Sequence, residues 1–268
     1  MTALAMPTWL VGCGNMTGAL LDGWRAADID LSGAVAIRPS GRPVEGIATV
    51  SSLALAGSSP AAVILGFKPD QLDAVAPELA PHLGPQTVVI SLLAGVEAAS
   101  LRARLPQAGA IVRAMPNLPV AVRRGVVALF SDEGNEVLRE QLSSLFGVLG
   151  FALWVKDEAE LAAVGAVAGA GPAYTARFIA ALAKAGEARG LDPQLAATVA
   201  LETVLGTGWM AAASGEPMAE LAQRVASPDG TTEAGLRVLD RALDDLVGVT
   251  IDAAARRGRQ LADAARLP

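Results

Sequence analysis

Short apolar runs alternate with helical patterns through the first half of the chain. Thr8–Gly12, Val35–Arg38, Ala62–Gly66, Thr87–Leu92, Ala110–Ala114 and Gly125–Phe130 each read as a buried strand, mostly bounded by Gly, Pro or Ser. Such alternation implies parallel strands joined by crossover helices, hence a doubly wound α/β domain. After about Trp154 the strands stop. From Asp157 onward apolar residues recur at three- and four-residue spacing, as in Leu195, Val199, Leu201, Val204 and Leu205, which predicts an all-helical region. The expected division is a dinucleotide-binding domain over residues 1–155 and a helical domain over residues 156–268.

Composition narrows this picture. A chain of 268 residues is long enough for two modest domains, each with its own core. Hydrophobic residues make up 52% but aromatics only 4%, so much of the apolar content is alanine, which builds close-packed helices. Leu161 to Ala176, the longest uncharged stretch of the second half, is rich in Gly and Ala, contains Pro172, and is shorter than a membrane-spanning run. No membrane association is expected. Gly165, Gly169 and Gly171 would give a helix surface without bulk, against which a helix of a second subunit could approach closely.

The net charge is −6 with no basic block, which argues against nucleic acid and for a small-molecule partner. One cysteine, Cys13, excludes an intrachain disulfide, and no charged leader precedes the first apolar strand; both favour a cytoplasmic location. The one histidine, His82, sits beside Pro81 in a predicted loop, so a metal site built on several His and Cys is out of reach. No metal is expected.

Candidate chemistry begins at "WLVGCGNMTGAL", Trp9 to Leu20. A strand runs into Gly12, Cys13, Gly14, Asn15 and Met16, where two glycines let the backbone turn sharply and bring a pyrophosphate onto a helix N-terminus. Thr17 occupies the usual third glycine position, which predicts looser helix-to-strand packing. The second strand ends in "AIRPSGRP". Arg38, Ser40 and Arg42 stand where an acidic residue would hold the ribose hydroxyls of NAD, and they suit a 2′-phosphate, so NADP(H) is the expected cofactor with NAD(H) possible. Lys68 and Pro69, in "FKPD", follow a strand's carboxyl end and can approach the cofactor; Leu93, Ala94, Gly95, Pro116 and Asn117 end strands on the same edge and are expected to line the nicotinamide side. In the helical half, "RVASPDGTTEAGL" reads as a turn between two helices, since Ser-Pro and Asp-Gly form turns and Thr caps helices.

Taken together, "GCGNM", "FKP", "SLLAG", "RAMPNLP", "AGAGPAY" and "SPDGTT" occur in the order and spacing of one family. Over nearly its whole length the chain resembles the pyrroline-5-carboxylate reductases. The resemblance implies a Rossmann-like domain followed by a helical dimerisation domain, a homodimer through that domain, and rings of dimers in many members. It also implies hydride transfer from NAD(P)H to the C=N carbon of 1-pyrroline-5-carboxylate, giving L-proline. The family's substrate loop maps onto Ser227, Gly230, Thr231 and Thr232: backbone amides hold the carboxylate, and Thr232 hydrogen-bonds the ring nitrogen as the catalytic residue. Glu158, ahead of the GPAY helix, also belongs to the implied substrate region.

Several positions depart from the family pattern. Ala168 and Ala170 stand where serines are common, Leu118 where Thr is common, and Asp229 where the loop usually has glycine; Arg224 precedes the loop, and the stretch near Asp240 to Asp245 lacks a Gly-Phe-Arg turn. A negative Asp229 would oppose a carboxylate unless it points away, and Arg224 could offset it. These departures keep a second reading open, a reductase of another cyclic imino acid. A third is a catalytically silent NADP-binding oligomer. The related β-hydroxyacid dehydrogenases use a Lys in the helical domain, where this chain offers Lys184, expected on an exposed face.

Overall fold

The computed structural model describes Leu4 and residues 6–265. Eight strands form one sheet: β1 (Thr8–Val11), β2 (Ala34–Ile37), β3 (Ala48–Val50), β4 (Ala62–Leu65), β5 (Val88–Ser91), β6 (Ala110–Pro116), β7 (Gly125–Phe130) and β8 (Gly150–Trp154), in the order β3-β2-β1-β4-β5-β6-β7-β8. The helices α1 (Asn15–Arg25), α2 (Leu72–Leu79), α3 (Ala98–Arg104) and α4 (Glu136–Gly147) belong to this half.

Strand periodicity divides the apolar residues between two faces. Leu10, Ile64, Ile90 and Val112 pack with Trp24 of α1 and Phe146 of α4, whereas Trp9, Val11, Val63, Val89 and Ile111 pack with Leu72 and Leu79 of α2 and Leu101 of α3. Burial on both faces explains why these strands read as continuous apolar runs. The Trp24 Nε1–H donates to the Leu145 carbonyl at 3.0 Å, which ties α1 to α4.

The expectation of parallel pairing throughout needs one correction. β6 and β7 are antiparallel, with Arg113 opposite Phe130 and Pro116 opposite Val127. Only a 3₁₀ turn, Leu118–Val122, lies between them, too short for the crossover a parallel pair requires. Two strands were also absent from the sequence reading. β3 has three residues, none of them fully buried, and β8 turns Phe151 outward, so neither carries the run of buried residues that marks a central strand.

The remaining chain is helical: α5 (Glu158–Val164), a π-helical turn at Gly165–Gly169, α6 (Gly171–Glu187), α7 (Pro193–Ser214), α8 (Met218–Val225), α9 (Thr231–Leu239) and α10 (Leu243–Ala265). Local chemistry sets several ends. The Asp157 side chain accepts from Glu160 N at 2.7 Å at the start of α5; Asp192 accepts from Gln194 N at 2.9 Å ahead of Pro193 in α7; and Gly215, with φ +65°, ends α7.

By internal contacts the chain forms two compact units. One is Gly171–Ala253; the other combines everything before Gly171 with the stretch from Ala254 onward. The strand-to-helix change at Trp154 and the division at Gly171 therefore fall at different places, because α5 and the π turn group with the sheet. Gly165 shows the reason. A Cβ there would lie 2.2 Å from Met115 Sδ, so this glycine accommodates a side chain of β6 in its own chain, whereas a Cβ on Gly169 or Gly171 would meet nothing within 4 Å.

Within the Gly171–Ala253 unit, the α6–α7 contact is built on Ala183, Ala196 and Ala200, with Ile179 against them. Such small side chains bring the helices close but bury little apolar area. Leu195, Val199, Leu201 and Leu205 of α7 remain 47–50% exposed in the single chain. Among the described residues, α7 is the one helix long and apolar enough to cross a membrane by length and composition. Lys184 is exposed on α6.

Candidate active site

The chain reverses direction across the sheet between β1 and β4: β2 and β3 lie to one side of β1, and β4 to β8 to the other. In such sheets ligands bind outside the carboxyl ends of the strands at this switch point. Gly12 sits there. Its φ is +79°, and a Cβ would lie 2.8 Å from Phe67 N and 2.9 Å from Phe67 Cβ, so the turn after β1 passes directly against the turn after β4. Gly14 begins α1 with extended backbone and no side-chain cap; a Cβ there would meet only Gly66 O, at 3.8 Å. The first N–H groups of α1 have no acceptor within the helix and carry the positive end of its dipole. Cys13, Asn15 and Met16 all border this turn, Asn15 exposed and the other two half-buried. Burial pushes the Cys13 thiol above its ordinary range, while the nearby Arg38 and Arg25 charges pull against that shift.

Thr17 does not loosen the packing as expected. It is fully buried, and a Cβ on Gly66 would lie 2.1 Å from its Oγ1. The missing bulk has moved from helix to strand end: Gly66 makes the room that the third glycine usually makes. Gly66 was not among the sequence candidates, because only the fold brings it opposite Thr17.

Arg38 follows β2 and is half-buried, with Nη1 donating to the Arg42 carbonyl at 3.2 Å. Ser40 Oγ accepts from Arg42 N at 3.4 Å, so Arg38, Ser40 and Arg42 form one folded loop beside the β1 turn. Lys68 and Pro69 follow β4; Lys68 is exposed, and its backbone N–H donates to Gln71 Oε1 at 3.2 Å. Leu93 and Ala94 follow β5. The Leu93 side chain is 2% exposed in the core, its N–H donates to Ser91 Oγ and its carbonyl accepts from Val96 N, whereas Ala94 is exposed.

Two candidates also bind the architecture together. Asn117 accepts from Val126 N at 2.8 Å and donates from Nδ2 to the Ala168 carbonyl at 3.0 Å, pinning β7 and the π turn to the end of β6. Glu158 accepts from Ala98 N at 2.7 Å through Oε1 and pairs with Arg113 through Oε2. Arg113 is 6% exposed. A buried guanidinium needs a paired carboxylate, so Glu158 holds α3, β6 and α5 together. Arg113 was missed as a site-forming residue, though a charge inside "AIVRAMP" announced it.

In the helical unit, Ser227–Gly230 forms a β-turn closed by Gly230 N donating to Ser227 O at 2.9 Å. Asp229 takes φ +57° there, the left-handed region that turns favour for Gly or Asn, and its N–H donates to Glu233 Oε2 at 2.7 Å. A Cβ on Gly230 would lie 2.3 Å from Ser227 Oγ, so only glycine keeps the turn tight. Gly230 is the N-cap of α9 and has no side-chain cap. The amides of Thr231 and Thr232 therefore open the helix, and Thr232 is half-buried. Arg224 does not offset Asp229 as expected: its Nη2 pairs with Glu216 Oε2 at 2.8 Å.

Among the described residues no group of three or more His, Cys, Asp or Glu side chains could hold a metal ion. A glycine turn facing a helix start at the switch point of a doubly wound sheet makes the chain a dinucleotide-binding enzyme with a helical second unit. Comparison with known proteins gives the family. Residues 158–261 match the family model for pyrroline-5-carboxylate reductase dimerisation. A pyrroline-5-carboxylate reductase of Pseudomonas aeruginosa is 37% identical over 94% of this chain and 96% of its own length. The structure of a pyrroline-5-carboxylate reductase from Coxiella burnetii superposes with a TM-score of 0.85 at 30% identity, covering 96% of this chain and 98% of its own. That of Plasmodium falciparum pyrroline carboxylate reductase with NADP bound reaches 0.87 at 26% identity, with the same coverage. The chain belongs to the pyrroline-5-carboxylate reductase family, nicotinamide-dependent oligomeric oxidoreductases that reduce pyrroline-5-carboxylate to proline.

Proposed function

We propose that this chain reduces 1-pyrroline-5-carboxylate to L-proline with NADPH, the sheet unit holding the cofactor and the loop Ser227–Thr232 holding the substrate. The uncapped start of α9 carries this reading: a tight turn closed at 2.9 Å leaves backbone N–H groups free for an anion at the positive end of a helix. NADPH, when bound, supplies the hydride that adds to the C=N carbon. The imine takes its proton from solvent, so the chain's task is to hold the carboxylate on the Thr231 and Thr232 amides and to accept from the ring N–H at Thr232 Oγ1. A hydroxyl has no suitable pKa for general acid catalysis, and positioning with charge stabilisation suffices for this chemistry. Glu158, in the substrate region, is held in place by Arg113 and Ala98. The decisive experiment follows NADPH and NADH oxidation over a panel of cyclic imino acids. Turnover with 1-pyrroline-5-carboxylate is the expected result; turnover of a larger ring without it would overturn the reading.

Arg38, Ser40 and Arg42 support NADPH over NADH, because a guanidinium can make charge-assisted hydrogen bonds to a 2′-phosphate. Arg38→Ala should cut the NADPH-to-NADH ratio of kcat/KM by roughly tenfold or more, with NADH kinetics little changed. An unaltered ratio would remove Arg38 from cofactor choice.

Asp229 places a negative charge one residue before the helix start that receives the carboxylate. Asp229→Asn keeps a residue that tolerates the left-handed backbone and removes the charge. The KM for 1-pyrroline-5-carboxylate should fall roughly two- to fivefold at low salt, with kcat unchanged and the difference shrinking as salt screens the charge. Equal KM values at low salt would show that the carboxylate points away.

The exposed apolar side of α7 supports a homodimer through the helical unit, with rings of dimers as the larger assembly; it is a surface for a partner chain rather than for lipid. The single cysteine is in keeping with the cytoplasm as the place of action.

A further inference from the structure

The last turn of α10 leans on the loop that joins β5 to α3. Gly95, with φ +77°, has no room for a side chain: a Cβ would lie 2.8 Å from Leu261 Cβ and 2.9 Å from Ala262 N, so loop and helix backbones touch with nothing between them. Ser100 Oγ, in α3, donates to the Ala265 carbonyl at 2.8 Å and gives one of the final carbonyls of α10 the partner that helix ends lack. Ala265 packs against the apolar cluster that contains Leu93, Val96 and Leu101. Within the loop, Leu93 and Val96 are anchored in that cluster, Leu93 N donates to Ser91 Oγ at 3.2 Å and Val96 N to Leu93 O at 3.3 Å, while Ala94 between them is exposed.

We propose that the tail of α10, Leu261–Ala265, is a positioning element for cofactor binding, holding the backbone of Leu93, Ala94 and Gly95 in its binding-competent place. The inference rests on the reading of these loop residues as cofactor-lining. Glycine is the residue with most conformational freedom, so a loop pivoting on Gly95 and stripped of its outer wall samples more states. Apparent affinity then falls by the fraction of time spent in the competent one. The tail also belongs to the helix that starts in the Gly171–Ala253 unit.

Truncation after Gln260 removes every one of these contacts; Ser100→Ala removes the bond to Ala265 together with the one Ser100 Oγ accepts from Arg104 Nη1 at 2.7 Å, and Ser100→Thr restores both. Kd for NADPH, measured by fluorescence titration without substrate, should rise roughly three- to tenfold on truncation and about twofold in Ser100→Ala, with Ser100→Thr at the wild-type value. Sedimentation should show the oligomer retained, and the KM for 1-pyrroline-5-carboxylate should not move. Wild-type NADPH affinity in the truncated chain would overturn the proposal, as would a parallel rise in both constants, which signals general loosening. If the truncated chain does not fold, Leu261→Ala and Ser100→Ala read the same quantity, and unchanged NADPH affinity in both is equally fatal. Failure of the reductase reading looks different: NADPH binds and responds to these variants, yet 1-pyrroline-5-carboxylate is not turned over.

Discussion

Thr232→Val should lower kcat/KM for 1-pyrroline-5-carboxylate by roughly tenfold to a hundredfold while leaving NADPH affinity and the melting temperature unchanged. The size follows from one hydrogen bond to a charged ring nitrogen, about 1.5–3 kcal/mol. Valine matches threonine in shape and keeps the backbone N–H that opens α9. The helix start does not depend on the side chain either, because Gly230 is the N-cap and no side chain caps it. Fold and oligomer therefore serve as internal controls, and Thr232→Ser should recover most of the activity. Steady-state kinetics with both substrates varied would check this. A Thr232→Val enzyme with wild-type kcat/KM would place the ring nitrogen against some other group.

The second large effect separates the two glycines of the cofactor turn. In Gly12→Ala the new Cβ meets Phe67 N at 2.8 Å, on a backbone with φ +79°, so left-handed strain adds to a collision with another backbone segment. Together these cost about 2–6 kcal/mol, enough to lower the melting temperature of the protein without cofactor. Gly14→Ala is the opposite case. Its nearest neighbour would be Gly66 O at 3.8 Å, so the free protein accommodates the methyl group. It loses NADPH affinity only if a pyrophosphate must approach that backbone. Thermal unfolding of the free protein and NADPH titration, run on both variants, should show Gly12→Ala defective in both and Gly14→Ala in the second alone. Tight NADPH binding by Gly14→Ala would move the phosphate away from the start of α1.

The difference between these glycines was invisible in the sequence, where "GCG" presents two equivalent letters. The same holds for Thr17. Its position implied loose packing because the sequence does not show that Gly66, far along the chain, lies against it. Asn117 and Glu158 illustrate a related limit. Asn117 was expected to line the nicotinamide side and Glu158 to belong to the substrate region, and the fold gives both a further part, in bonds to Val126, Ala168, Ala98 and Arg113. Only the fold can say whether a polar side chain at a strand end turns toward a ligand or toward its own backbone.

What local chemistry alone could determine was determined by the sequence: the six buried strands, the glycine turn after β1, the helical second half and the Ser-Pro-Asp-Gly turn before α9. Each depends on residues a few positions apart, within reach of periodicity, backbone sterics and capping. The order of motifs along the chain was also enough to bring the family into view. Tertiary structure decided what depends on distant residues meeting. It made β6 and β7 antiparallel, paired Arg113 with Glu158 and Arg224 with Glu216, and set Gly165 against Met115. It also grouped the end of α10 with the sheet and laid it against Gly95. Long-range packing chooses such partners by shape and charge in three dimensions, and no spacing along one chain encodes that choice in a form that can be read locally.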